Sequence, residues 1–127
     1  EFEPKRRDLF LSYSDLQVHS LLCYSREEVL TEKMRSIIQR TQPRDLYDLW
    51  HLLSIEKMDI ELYQSEFERK TIRKGINPKE LPNKLLGKMK AYKNRWHGSL
   101  GDQINDLPDF DTVFREVNRE IRKLKFK

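Results

Sequence analysis

Apolar residues recur every three or four positions along most of this chain, and only the first 24 residues break that rhythm. There, Asp8-Leu9-Phe10-Leu11-Ser12-Tyr13 is one short apolar run and Val18 to Tyr24 is another. With Ser14-Asp15 turning between them, the pattern predicts two strands. Two strands alone are marginal in water, so they are expected to belong to a larger sheet or to lie against helices. From Ser25 onward the period becomes helical. Ser25-Arg26-Glu27-Glu28 reads as a capping box. Val29, Leu30, Met34, Ile37 and Ile38 then form one stripe. Pro43 should stop this helix near Arg40-Thr41-Gln42 and open the next. Leu46, Leu49, Trp50, Leu52 and Leu53 make the second buried face. A third helix is expected after Asp59 through Leu62, Tyr63, Phe67 and Ile72, with Gly75 ending it. Asn77-Pro78 starts another turn, and Pro82 begins a fourth helix with the stripe Leu85, Leu86, Met89, Tyr92 and Trp96. A loop from His97 to Pro108 leads to a last helix, from Asp109 or Asp111, carrying Phe110, Val113, Phe114, Val117, Ile121 and Leu124. The expected fold is mainly α, a bundle of about five helices over residues 25–127 behind a short β segment over residues 1–24.

Composition changes this picture little. The chain has 127 residues, 37% hydrophobic and 36% charged, which suits one small domain, or a piece of a larger one, with a modest core. No apolar run reaches the roughly 18 residues of a membrane span, and EFEPKRRDLF is too charged for a signal peptide. The single cysteine, Cys23, excludes an internal disulfide and points to a reducing cytoplasm. Its apolar neighbours Leu21, Leu22 and Tyr24 favour a packing role over a catalytic thiol. Opening at Glu1 without a methionine, the chain reads as an internal piece of a longer protein.

Charge changes more. Residues 45–68 carry one basic and seven acidic side chains, whereas residues 69–96 carry ten lysines and arginines and one acid. The positive excess is therefore concentrated in one 28-residue block.

Between Ser25 and Trp50 the chain also holds charges that an amphipathic helix does not require. Lys33 lies four residues after Val29 and four before Ile37, close to the buried stripe. Asp45 and Asp48 are three apart on the next helix, preceded by Arg44. A lysine facing an aspartate across two helices suits phosphoryl or nucleotidyl transfer. The lysine neutralises charge on phosphate oxygens, and the aspartate activates a hydroxyl, orients the lysine or holds a metal. The same spacing also allows a plain interhelical network, Lys33 with Asp48 and Arg40 or Arg44 with Asp45.

The segment EEVLTEKMRSIIQR followed by PRDLYDLWHLL resembles the C-terminal half of AbiEii-type nucleotidyltransferase toxins, members of the DNA polymerase β-like superfamily. The resemblance rests on Glu32-Lys33 and on Arg44-Asp45-Leu46-Tyr47-Asp48-Leu49, and extends more weakly to Trp96 and Leu107-Pro108-Asp109-Phe110. It implies that Lys33 contacts nucleotide phosphates, with Arg44 a second nucleotide-binding candidate. Asp48 would be a catalytic or lysine-orienting aspartate, with Asp45 the alternative claimant. It further implies an NTP substrate, Mg²⁺, an RNA or protein acceptor and an antitoxin partner. The family's Gly-Ser segment and paired metal-binding acids have no counterpart here: all four glycines lie beyond residue 74. Residues 1–24 are then the last strands of a truncated catalytic core. A fragment without the metal-binding acids is not expected to catalyse transfer, or to hold a cofactor, alone.

In the basic block, Arg69, Lys70, Arg73, Lys74, Lys84, Lys88, Lys93 and Arg95 are candidates for binding tRNA or another RNA through phosphates. Tyr92 and Trp96 fit core packing better than base stacking. The competing explanation for the charges is a solvated helix face, and the competing function is a non-catalytic helical module binding RNA or protein. No zinc spacing, P-loop, Rossmann glycine pattern or Gly-x-Ser-x-Gly is present.

Overall fold

A computed structural model describes residues 25–126. The two strands expected before Ser25, and Cys23, lie outside the described residues, and among the described ones there is no strand. Helix α1 spans Arg26–Gln39 and α2 spans Pro43–Trp50, running directly into a π-helical turn over His51–Ile55. A 3₁₀ turn at Ile60–Tyr63 feeds α3, Gln64–Arg73. A second, at Pro78–Glu80, feeds α4, Leu81–Gly87. Helix α5 covers Met89–Leu100 and α6 covers Phe110–Ile121.

The start of α1 follows from its first four residues. The Ser25 hydroxyl accepts the Glu28 N–H at 3.2 Å, and the Glu28 carboxylate accepts the Ser25 N–H at 3.4 Å. Both satisfy donors that a helix N-terminus leaves open. Pro43 then opens α2, as its fixed φ and missing N–H allow. With only Arg40, Thr41 and Gln42 between them, α1 and α2 pack as neighbours.

Helix α2 is the centre of the molecule. It packs on α1, α5 and α6, and its Pro43, Asp45, Leu46, Tyr47, Asp48 and Leu49 are all buried. Around it, Leu30, Met34 and Ile37 of α1, Phe67 of α3, Leu81 and Leu85 of α4, Tyr92 and Trp96 of α5, and Val113, Val117 and Ile121 of α6 are fully buried. Truncating any one of these leucines to alanine would cost about 2–5 kcal/mol. The α6 stripe is buried as its spacing predicts, from Phe110 through Leu124.

Two stripes differ from the periodic expectation. In the third helix Leu62 and Ile72 are exposed, and the inner face is Ile60, Phe67 and Thr71. The 3₁₀ turn at Ile60–Tyr63 is the cause. Its three-residue period shifts the register before the α-helix begins. The expected fourth helix is two helices, broken at Gly87 and Lys88. Leu86 and Met89, flanking the break, turn outward, while Leu85, Tyr92 and Trp96 stay inside. The expected loop from His97 is also shorter, because α5 runs on to Leu100. Trp96 anchors what remains of it: its indole N–H donates to the Pro108 carbonyl at 3.0 Å, and its ring meets Phe110 edge-on at 5.5 Å.

Candidate functional site

The buried positions of α2 have nowhere to solvate a charge, so Asp45 and Asp48 need partners inside the protein. The neighbouring elements supply them. The Lys33 ammonium of α1 lies 2.8 Å from Asp48 Oδ2 and 3.2 Å from Asp45 Oδ1. Arg40, at the C-cap of α1, forks onto Asp45, with Nε 2.8 Å from Oδ2 and Nη2 3.0 Å from Oδ1. Arg44 reaches Asp48 one turn along α2, at 3.5 Å. Its other side donates to the Gln103 amide oxygen at 2.5 Å, in the α5–α6 connection.

The arrangement is layered. The two carboxylates are 1% and 0% exposed, whereas the side chains of Lys33 and Arg44 keep 13% and that of Arg40 57%. Three cations thus stand outside two anions. Surface pairs contribute about 0–1 kcal/mol, but leaving either buried carboxylate unpaired would cost about 3–5 kcal/mol. The carboxylates therefore hold the cations; Arg40 is the most exposed of the three, Lys33 is partly exposed, and Arg44 has its Nε and Nη2 buried. Burial pushes the Asp48 carboxyl above its ordinary range, with Lys33 and then Arg44 pulling against it. The Asp45 hydrogen bond raises the Arg40 guanidinium as well, which there favours the charged form.

The predicted site residues divide clearly. Lys33, Arg44, Asp45 and Asp48 come together. Lys33 pairs with Asp48 as the spacing allowed, Arg40 is the one of the two arginines seen on Asp45, and Arg44 reaches Asp48, its i to i+4 neighbour on the helix. The eight cations predicted for RNA do not form one uniform set. Arg69 and Lys70 lie against Glu66, and Lys93 lies 4.0 Å from Asp111. Lys88 and Arg95 donate to backbone carbonyls around the α1–α2 link. Arg73, Lys74 and Lys84 are exposed and form no ion pair among the described residues. Gln103 was not foreseen. It lies 59 residues from Arg44, and nothing local marks it.

Residues 2–116 match the model of the AbiEii nucleotidyl transferase toxin family, type IV toxin–antitoxin system. The chain belongs to the AbiEii family. The match contains every residue of the Lys33–Asp45–Asp48 cluster, and it ends within α6. No curated protein and no solved structure matches the chain. The AbiEii assignment makes this a toxin–antitoxin nucleotidyltransferase domain, a class whose chemistry uses an NTP and a divalent metal. The described residues do not fit the metal. None of their His, Cys, Asp or Glu side chains gather in a group of three or more that could hold an ion. Asp45 and Asp48 are turned onto cations, while Mg²⁺ needs carboxylate oxygens left open to it. No helix among the described residues is long and apolar enough to cross a membrane.

A cleft of about 590 Å³ lies elsewhere, lined by Glu68, Ile72, Asn77, Pro78, Lys79 and Lys125. It shares no residue with the cluster.

Proposed function

We propose that this AbiEii domain supplies the phosphate-binding side of a nucleotidyl-transfer site, with Lys33 and Arg44 holding the triphosphate of an NTP. The carrying observation is the layering: fully buried carboxylates behind partly exposed cations. In nucleotidyl transfer an acceptor oxygen bonds to the α-phosphorus as the bond to the β-phosphate oxygen breaks. Charge then collects on the departing pyrophosphate. A fixed ammonium beside those oxygens stabilises the transition state without reorganising when the bond breaks. Asp48 and Asp45 act through Lys33 and Arg44, as positioning residues. Their oxygens are already taken by cations, which argues against a base or metal ligand there. The acceptor is an RNA or a protein, and an antitoxin is the expected regulatory partner.

The test is Lys33→Ala in the intact protein, assayed for transfer of labelled NTPs. The expected loss in kcat is about 10²–10³-fold with the circular dichroism spectrum unchanged. A folded variant with the wild-type rate would refute the assignment. A second reading, an RNA-binding module, is favoured by one observation: Arg73, Lys74 and Lys84 are exposed and form no ion pair among the described residues. It is compatible with the first if the RNA is the acceptor.

A further inference from the structure

The C-terminus of α1 has a problem that its own sequence does not solve. The last carbonyls of a helix have no partner within it and carry the negative end of its dipole. No basic residue lies in the last turn of α1, and its C-cap, Arg40, is extended (φ −147°, ψ 170°), so the chain does not curl back to close the end. One backbone bond remains, from the Arg40 N–H to the Ser36 carbonyl at 2.9 Å.

The solution comes from about 50 residues away. Lys88 stands at the break between α4 and α5, and its ammonium donates to the carbonyls of Ile37 at 2.6 Å, Ile38 at 3.3 Å and Arg40 at 2.9 Å. A lysine has three donors, and all three are used. Two turns along α5, Arg95 donates to the Thr41 carbonyl at 2.8 Å. Four carbonyls between residues 37 and 41 are thereby pinned by two cations of the basic block. The pinned segment is the link between α1 and α2, and it carries Arg40, whose side chain forks onto Asp45. Asp45 is near enough to Lys88 to oppose the fall in its basicity that burial and then Lys84 cause.

We infer that Lys88, seconded by Arg95, is a positioning residue for the transfer site. It caps α1 from outside and so fixes how Lys33 meets Asp45 and Asp48. The inference deepens the proposed function and rests on it for its catalytic meaning. It also removes Lys88 from the RNA-contacting set, because an ammonium already bonded to three carbonyls has no donor left for a phosphate.

The first experiment uses the 127-residue chain and needs no activity. Acetylation of Lys33 by acetic anhydride is followed by mass spectrometry in wild type, Lys88→Met, Lys88→Arg and the exposed control Lys84→Met. Lys88→Met should raise Lys33 labelling about fivefold, the factor by which losing one hydrogen bond shifts an equilibrium. Lys88→Arg should largely restore protection, and Lys84→Met should match wild type. In the intact protein, Lys88→Met should lower kcat about tenfold, as a small misplacement does, with KM for the RNA acceptor unchanged. Unchanged Lys33 labelling in folded Lys88→Met would overturn the inference, as would a raised acceptor KM at constant kcat. Should Lys88→Met fail to fold, Arg95→Gln takes its place. It too must raise Lys33 labelling, and unaltered labelling there overturns the inference equally. A wild-type rate in Lys33→Ala would instead end the transfer reading while leaving the labelling result to judge the cap.

Discussion

At the scale of single residues, burial decides what each polar group can do. His51 shows this away from the cluster. It begins the π-helical turn after α2, is 3% exposed, and lies 6.2 Å from the Tyr47 ring. Burial pushes its imidazole below the ordinary 6.5, with Glu56 pulling the other way. Between the folded value and 6.5 the unfolded chain therefore binds more protons than the folded one. Stability is full above about pH 6.5 and is lost as pH falls below it. Urea midpoints measured from pH 7.5 to 5 should decline in wild type and stay flatter in His51→Gln; parallel curves would show that His51 does not titrate with folding. The sequence disclosed the charges of the candidate site but not all of their pairings. Lys33 beside the apolar stripe, and Asp45 and Asp48 one turn apart, were legible because helical spacing is local. Arg44 with Asp48 is an i to i+4 pair of the same local kind. The arrival of Gln103 was not legible, because it depends on how the α5–α6 connection settles on α2.

At the scale of elements, legibility follows the strength of the local signal. The capping box at Ser25, the proline at the start of α2 and the stripe of α6 each state their element within a few residues. The break at Gly87 and Lys88 does not, because Leu85 through Trp96 continue a helical period straight across it. Gly98 and Gly101, both within the stretch from His97 to Pro108 that was expected to be a loop, have opposite physical roles. Gly98 is inside α5, and a Cβ there would meet nothing within 4 Å. Gly101 follows the helix, and a Cβ there would lie 2.6 Å from the His97 carbonyl oxygen, a backbone atom with little room to yield. Gly98→Ala should therefore stabilise the chain by about 0.5–1 kcal/mol, through helix propensity and a less flexible unfolded state. Gly101→Ala should destabilise it by about 1–3 kcal/mol, because the backbone must move. Opposite shifts in thermal midpoint would confirm the pair, and stabilisation by both would mean that the end of α5 is looser than described.

Across the whole molecule, the basic block is the feature whose meaning changes most between sequence and structure. As a string it is one patch of ten cations; folded, its members do different work. Lys88 and Arg95 hold the α1–α2 link, Arg69 and Lys70 answer Glu66, and Arg73, Lys74 and Lys84 are exposed without an ion pair among the described residues. Counting charges could not separate these roles, since each is assigned by helices distant in sequence. The separation makes a quantitative claim about RNA. Each phosphate contact on a single strand contributes about 0.7 to the slope of log affinity against log salt. If Arg73, Lys74 and Lys84 each meet a phosphate, the triple alanine variant should lower that slope by about 2. Lys88→Met, which removes one charge from the same block, should leave the slope unchanged, because its ammonium is already bonded to the protein. Titration of a labelled single-stranded RNA at several salt concentrations measures both. Equal loss per cation removed, Lys88 included, would mean that the block acts as one undivided electrostatic patch. A slope unaffected by the triple variant would mean that the exposed cations serve solvation, and that the acceptor is held elsewhere.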